Sequence, residues 1–183
     1  AHLGTNPLAA HQIGMNIITI SFAFGDGLSV AAVSLEGQNL GAGRPDLAKI
    51  YGGVCQRLGV CCSCMVAFVY FIWGKTIFGL FSQDAEILGY SSFIMDMVSL
   101  IVFLQIAQVI FSGCLRGSGD TKYVAMVSLI SVAFIRPGSG WLFIYGLNTG
   151  LWGAWIGLAL DQFVRLMLNF LRFRSGKWMN IKI

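Results

Sequence analysis

Five apolar stretches, at about 11–35, 48–73, 85–114, 123–145 and 151–171, alternate with short polar or glycine-rich breaks. Each holds about 20 residues or more, the length a helix needs to cross the hydrocarbon of a bilayer. The pattern predicts an all-α integral membrane protein with about five transmembrane helices. The breaks at 41–46, 82–84, 116–121 and 146–150 are too short to be linkers between domains, so 1–183 reads as one unit. Arg136-Pro137-Gly138 interrupts the fourth stretch. Proline lacks the N–H of a regular turn, so a kink is expected there.

Composition strengthens this reading. Hydrophobic residues make up 56% of the chain and charged residues 11%, against about 25% charged in soluble domains. Mean hydropathy is +0.75. The formal net charge is +4. The basic residues lie at the ends of the apolar runs and form no stripe with interleaved aromatics, which speaks for membrane topology and against a nucleic-acid partner. Arg44, Lys49 and Arg57 follow or flank the first break, Arg116 and Lys122 the third, and Arg172, Arg174, Lys177 and Lys182 the last span. The remaining breaks carry only Lys75. The positive-inside rule then places the C-terminus in the cytoplasm and the N-terminus outside. No signal peptide is visible, and a start at Ala1 without Met on the outer face suggests a piece of a longer protein.

Trp73, Trp141, Tyr145, Trp152 and Trp178 fall where interfacial belts are expected, with core packing the alternative for any one of them. Gly52-Gly53, Gly59 and Gly153-x-x-x-Gly157 offer close helix approaches. Of the five cysteines, Cys55, Cys61, Cys62 and Cys64 share one span and lack the His or acidic neighbours of a metal site. With Cys114 they read as small packing residues.

Ionisable groups inside a span are costly and therefore functional candidates. They are Asp26, Glu36, Asp96, Arg136, Asp161 and Arg165. Asp96, about three turns into the third span, either binds Na⁺ or a proton, or faces a water-filled vestibule. Asp26, between Gly25 and Gly27, either marks a polar break lining a cavity or sits on a packed glycine kink. Arg136 either pairs with Asp161 or Asp96, or bonds carbonyls. Asp161 and Arg165 are four apart and can pair along one helix face. Glu36 lies near the cytoplasmic end and can reach water.

A membrane enzyme would need a catalytic set. The histidines are His2 and His11 alone, and no HExxH, GxSxG, P-loop or GxGxxG pattern occurs. No catalytic residue, metal ligand or cofactor is therefore expected.

Three stretches carry more than a hydropathy pattern. Leu8-Ala-Ala-His-Gln-Ile13 leads through an apolar run to Glu36-Gly-Gln-Asn-Leu-Gly-Ala-Gly43. Leu115-Arg-Gly-Ser-Gly-Asp-Thr121 follows the third span. Gly150-Leu-Trp-Gly-Ala-Trp155 opens the last, which continues through Arg165 and Arg172 to Gly176-Lys-Trp178. In this order and spacing they resemble the second helix, the turn after the fourth helix and the last helix of a six-helix bundle of the MATE (multidrug and toxic compound extrusion) family. The basic tail favours the C-terminal bundle. The five spans would then be most of that bundle.

The resemblance implies efflux of small amphipathic, cationic substrates by antiport with H⁺ or Na⁺. Transport would proceed by alternating access between two bundles in a cell membrane, and in a bacterium this would be the inner membrane. It also implies a partner N-terminal bundle, beyond this sequence, where the coupling ion is expected to bind. The motif residues Glu36, Gly37, Gln38, Gly41, Gly43, Arg116, Gly117, Gly119 and Asp120 would terminate helices or gate. The glycines permit a tight exit, Gln38 can bridge to a neighbouring helix, Arg116 can bond carbonyls at its helix end, and Asp120 can cap the next helix. Gln105 stands where some members carry an acid. It can coordinate a cation but cannot titrate, which weakens the case for a coupling site in this half. Phe22, Phe24, Phe93, Met95 and Met97 are either adaptable substrate contacts or lipid-facing. The alternatives are a lipid-linked oligosaccharide flippase of the same superfamily and a non-transporting truncated membrane subunit.

Overall fold

A computed structural model describes residues 5–146 and 149–180. His2, Lys182 and the middle of the 146–150 break lie outside them. All regular structure among the described residues is helical: α1 (Thr5–Gly41), α2 (Pro45–Gly79), α3 (Ala85–Gly89), α4 (Ser91–Gly117), α5 (Thr121–Ile130), α6 (Arg136–Trp141) and α7 (Leu151–Arg174). Wide π turns at Ser131–Ile135 and Leu142–Gly146 join α5 and α6 into one element from Thr121 to Gly146. Five elements are long and apolar enough to cross a membrane, and each runs past the C-terminal end of the apolar stretch that predicts it, whereas the third starts later, at Ser91. The third stretch is divided at Tyr90. The Asp84 side chain accepts from the Glu86 N–H, 2.9 Å, and starts the short α3 ahead of α4.

α4 is the axis of the bundle, packing against α1, α2 and α7. Small residues let it do so, as expected where lipid gives helices no hydrophobic reason to associate. Gly113 and Gly117, four residues apart on α4, meet the α1 backbone at Ser29 and Val33. The Ser29 hydroxyl donates to the Val109 carbonyl at 3.0 Å across this contact. Gly14 receives the Trp155 ring, Gly74 receives Met95, and Gly59 receives Ile110. Gly52, Gly59, Gly153 and Gly157 make close approaches, but Gly53 meets nothing and faces outward. The outer surface is apolar where α2 exposes Met65, Phe68, Phe71 and Trp73, as a lipid-facing wall requires. Cys55 and Cys114 are buried packing residues, and the described cysteines are all free.

The two motif turns close in the same way. After α1, Gly43 (φ 70°) lets the Arg44 N–H bond the Asn39 carbonyl and its own N–H bond that of Leu40. After α4, Gly119 (φ 84°) lets Asp120 bond Leu115 and itself bond Arg116. Both are Schellman closures with glycine in the left-handed position. Gly41 meets nothing, whereas a Cβ at Gly37 would lie 3.4 Å from the Gly117 carbonyl oxygen.

Asp120 precedes α5 without capping it through its side chain. Its carboxylate accepts from Arg172 Nε at 2.6 Å instead, because α7 brings a cation to the turn and charge pairing outcompetes a neutral cap. The Arg172 guanidinium lies 4.9 Å from the Tyr123 ring centroid, and the Tyr123 hydroxyl donates to the Leu168 carbonyl at 3.0 Å. Trp178 is 1% exposed and stacks on Phe173, to whose carbonyl it donates at 2.8 Å. It is a core residue and not a belt residue, whereas Trp73, Trp141, Tyr145 and Trp152 are exposed. Asp120→Ala is expected to cost about 1–3 kcal/mol, since it strands a half-buried arginine. Thermal unfolding in detergent checks this, and an unchanged midpoint would show that the latch carries no stability.

Candidate functional site

α1, α4, α5, α6 and α7 wall a half-open groove of mixed polar and apolar lining, on which Phe22, Asp26 and Arg136 are exposed. Its two adjoining cavities, of about 280 and 240 Å³, share Phe22, Gln105 and Gln162. The helical repeat explains how the groove arises. On α4, Gln105, Gln108, Ser112 and Arg116 recur at intervals of three and four and form one stripe. On α1, Met15, Thr19, Phe22 and Asp26 do the same, and on α7 Leu158, Gln162 and Arg165. Ser128 of α5 and Arg136 of α6 complete the walls.

The predicted site residues divide. Asp26, Gln105 and Arg136 meet in the groove. Arg116 and Arg165 join them. Asp96 does not: it is exposed in a separate groove between α2 and α4, with Tyr70, Lys75 and Ser92. It therefore cannot pair with Arg136. Asp161 is 1% exposed and engaged by Arg165 at 3.4 Å and by the Ser131 hydroxyl. Arg165 Nε also donates to Ser131, at 2.8 Å. This triad, and not Arg136, neutralises Asp161. Only the Asp161–Arg165 spacing of four was legible beforehand.

Other expectations change in detail. α1 runs through Asp26 without a break in its helical hydrogen bonding, and Gly25 packs against Ile106 (3.3 Å to a Cβ built there). Glu36 does not reach water. It is fully buried against Gly52 and Gly117, which leave room for the carboxylate, and both its oxygens lack hydrogen-bond partners. Gln38 donates to Ser34 of its own helix at 3.1 Å, and among the described residues it bridges to no neighbouring helix. Arg116 donates at 3.0 Å to Ser29 of α1, leaving the carbonyls of its own helix end to the glycine closure. Met95 is core and Met97 packs against it, Phe24 is exposed, and Phe22 lines the groove. Ahead of Pro137 the chain forms a π turn at Ser131–Ile135, closed by the Arg136 N–H on the Ser131 carbonyl five residues back, and Pro137 enters the first turn of α6. Prolines and π turns are both places where a helix bends.

Sequence reasoning missed Gln108, Ser112, Ser128 and Gln162. The signal was available: polar residues at 105, 108, 112 and 116 keep helical register. Gly113-x-x-x-Gly117 was missed as a contact because its first glycine lies outside the recognised turn motif.

Five helices long and apolar enough to span a bilayer, packed around one axis, define an all-α membrane protein. Among the described residues no group of three or more His, Cys, Asp or Glu side chains is placed to hold a metal ion. A family model described as MatE matches residues 1–142. The probable multidrug resistance protein NorM of Thermotoga maritima is 29% identical over 177 residues, covering 96% of this chain and 38% of that protein. The multidrug resistance protein MdtK of Yersinia enterocolitica is 29% identical over 178 residues, covering 94% and 38%. The crystal structure of the eukaryotic MATE transporter AtDTX14 superposes with a TM-score of 0.88 at 24% identity, covering 95% of this chain and 39% of that one. The chain belongs to the MatE family. It spans about two fifths of the length of the relatives it matches.

Proposed function

We propose that the protein exports small amphipathic compounds with a cationic pole, by antiport against H⁺ or Na⁺. This chain would supply most of the C-terminal bundle. An N-terminal bundle would close the transport path, and the two would rock between outward- and inward-open states. The basic loops after α1, α4 and α7 support a cytoplasmic C-terminus, and the bacterial relatives support an inner-membrane location. The observation that carries this reading is the groove, since polar groups are tolerated at membrane depth where they line a wet or ligand-filled cavity.

The test is dye retention in efflux-deficient cells expressing the full-length protein. Expression is expected to lower the accumulation of a cationic dye several-fold. Collapsing the proton or the sodium gradient singly should restore it in one case and so name the coupling ion. Accumulation equal to that of empty-vector cells would contradict export. The second reading is a lipid-linked oligosaccharide flippase, supported by Arg116 and Arg136 in the groove, although Asp161 offsets Arg165 and Asp26 shares the cavity of Arg116. Pyrophosphate-linked lipid moved across vesicles while dye is not would select it.

A further inference from the structure

A second groove runs along the outside of the bundle between α2 and α4. It consists of two cavities, of about 310 and 360 Å³, that share Phe71. The first is charged. Gly74 lets α2 close on Met95 of α4, so the residues next in sequence, Lys75 and Asp96, stand at one depth and line one cavity. Both are exposed. Although opposite in charge they do not pair with each other, and neither ion pair found among the described residues involves them. A cleft that holds a cation and an anion apart suits a guest that carries both charges itself.

The second cavity is apolar, lined by Ala67, Phe68, Phe71, Leu100 and Phe103. Phe68, Phe71 and Leu100 are exposed and belong to the wall that faces lipid. Along α2 the groove extends from Lys75 to Cys64, a helical rise of about 16 Å. That is about half of a hydrocarbon core about 30 Å thick, the depth of one leaflet. The charged end lies near the C-terminus of α2, which ends at Gly79. Trp73 is exposed beside it, as an aromatic at the headgroup level is. The polar end and the apolar length of the groove therefore match the two parts of a membrane lipid in its own orientation.

We infer that this groove binds one phospholipid whose headgroup carries a primary ammonium, of the phosphatidylethanolamine type. Its phosphate meets Lys75, its ammonium donates to the Asp96 carboxylate, and one acyl chain lies along Phe68 and Leu100. A quaternary ammonium has no N–H to donate, so phosphatidylcholine loses the hydrogen bond at Asp96. Phosphatidylglycerol offers no cation at all. The site lies apart from the groove of α1, α4 and α7 and does not depend on what the protein exports.

Native mass spectrometry of the purified full-length protein, stripped of lipid in detergent, tests this. The probes are phosphatidylethanolamine, phosphatidylcholine and phosphatidylglycerol with identical acyl chains. The first phosphatidylethanolamine is expected to bind about tenfold more tightly than either other lipid, the scale of one hydrogen bond to a charged group. Asp96→Ala should remove that preference and change phosphatidylcholine by less than about twofold, while Asp96→Glu should keep most of it. Lys75→Gln should weaken phosphatidylethanolamine and phosphatidylcholine alike, because both carry the phosphate. Leu100→Trp, which fills the apolar cavity, should weaken all three lipids. Equal binding of the three lipids to the wild type overturns the inference without any variant. So does a preference for phosphatidylethanolamine that Asp96→Ala leaves intact in protein that elutes as the wild type does, since the lipid then sits elsewhere. A dimer that persists at every lipid concentration and is lost in Leu100→Trp would put a second copy on this face, and overturns the inference too.

Discussion

Gly117→Val is expected to leave the protein unable to form its native bundle. A Cβ at Gly117 would fall 2.9 Å from Val33 Cα and 3.0 Å from Glu36 Cβ, and one at Gly113 would fall 2.7 Å from the Ser29 carbonyl oxygen. Backbone atoms cannot turn aside as a side chain would, so α1 and α4 must separate. Separation also breaks the Ser29–Val109 and Arg116–Ser29 hydrogen bonds, each 3.0 Å long. Overpacking costs about 1–3 kcal/mol and each lost bond about 1 kcal/mol, so a loss of about 3–5 kcal/mol is expected. That is a large fraction of the about 5–15 kcal/mol by which folded domains are stable. Gly113→Val should behave alike. Gly53→Val is the control, because nothing lies within 4 Å of its Cβ position. Fluorescence-detected size exclusion after a heat series gives the comparison. A Gly117→Val variant as heat-resistant as Gly53→Val would show that α1 and α4 do not meet in this way.

Asp161→Ala is the second large effect. The carboxylate is 1% exposed and holds both Arg165 and Ser131. Removing it leaves a guanidinium, 16% exposed, facing the groove without its ion-pair partner. Breaking a buried pair in this way costs about 3–5 kcal/mol. Partial access of Arg165 to the groove lowers the expectation to about 2–4 kcal/mol. Adding Arg165→Leu to Asp161→Ala should recover a good part of the loss, because no stranded charge remains. A double-mutant cycle on the melting midpoint measures the coupling. Purely additive losses would mean that the two side chains do not act as a pair.

The spans, the membrane class and the family motifs were legible because hydropathy and glycine-rich turns are local signals. The Asp161–Arg165 pair was legible for the same reason, since four residues make one helical step. Partners that lie far apart in sequence were not. Asp120 meets Arg172 across 52 positions, and Arg116 meets Ser29 across 87. In both cases a long-range charged or hydroxyl partner replaced the local cap that sequence suggests. Glu36 misled because burial depends on what faces it. Gly52 and Gly117 vacate that space from two other helices. The groove itself was half visible. Asp26, Gln105 and Arg136 were picked out for charge or resemblance, but only the helical register of α4 and α7 shows that Gln108, Ser112 and Gln162 share their wall.

The most direct test of the central claim, that this groove is part of the transport path, is substrate-protected cysteine labelling. Thr19→Cys and Ser128→Cys would be made in full-length protein lacking its native cysteines, with Phe68→Cys on the outer face of α2 for comparison. A charged, membrane-impermeant thiol reagent is applied in vesicles with and without a transported dye. The groove positions are expected to react and to be protected several-fold by dye, while Phe68→Cys stays unlabelled in lipid. Labelling of Thr19→Cys and Ser128→Cys that dye leaves unchanged, or no labelling at either, would contradict a transport path through this groove.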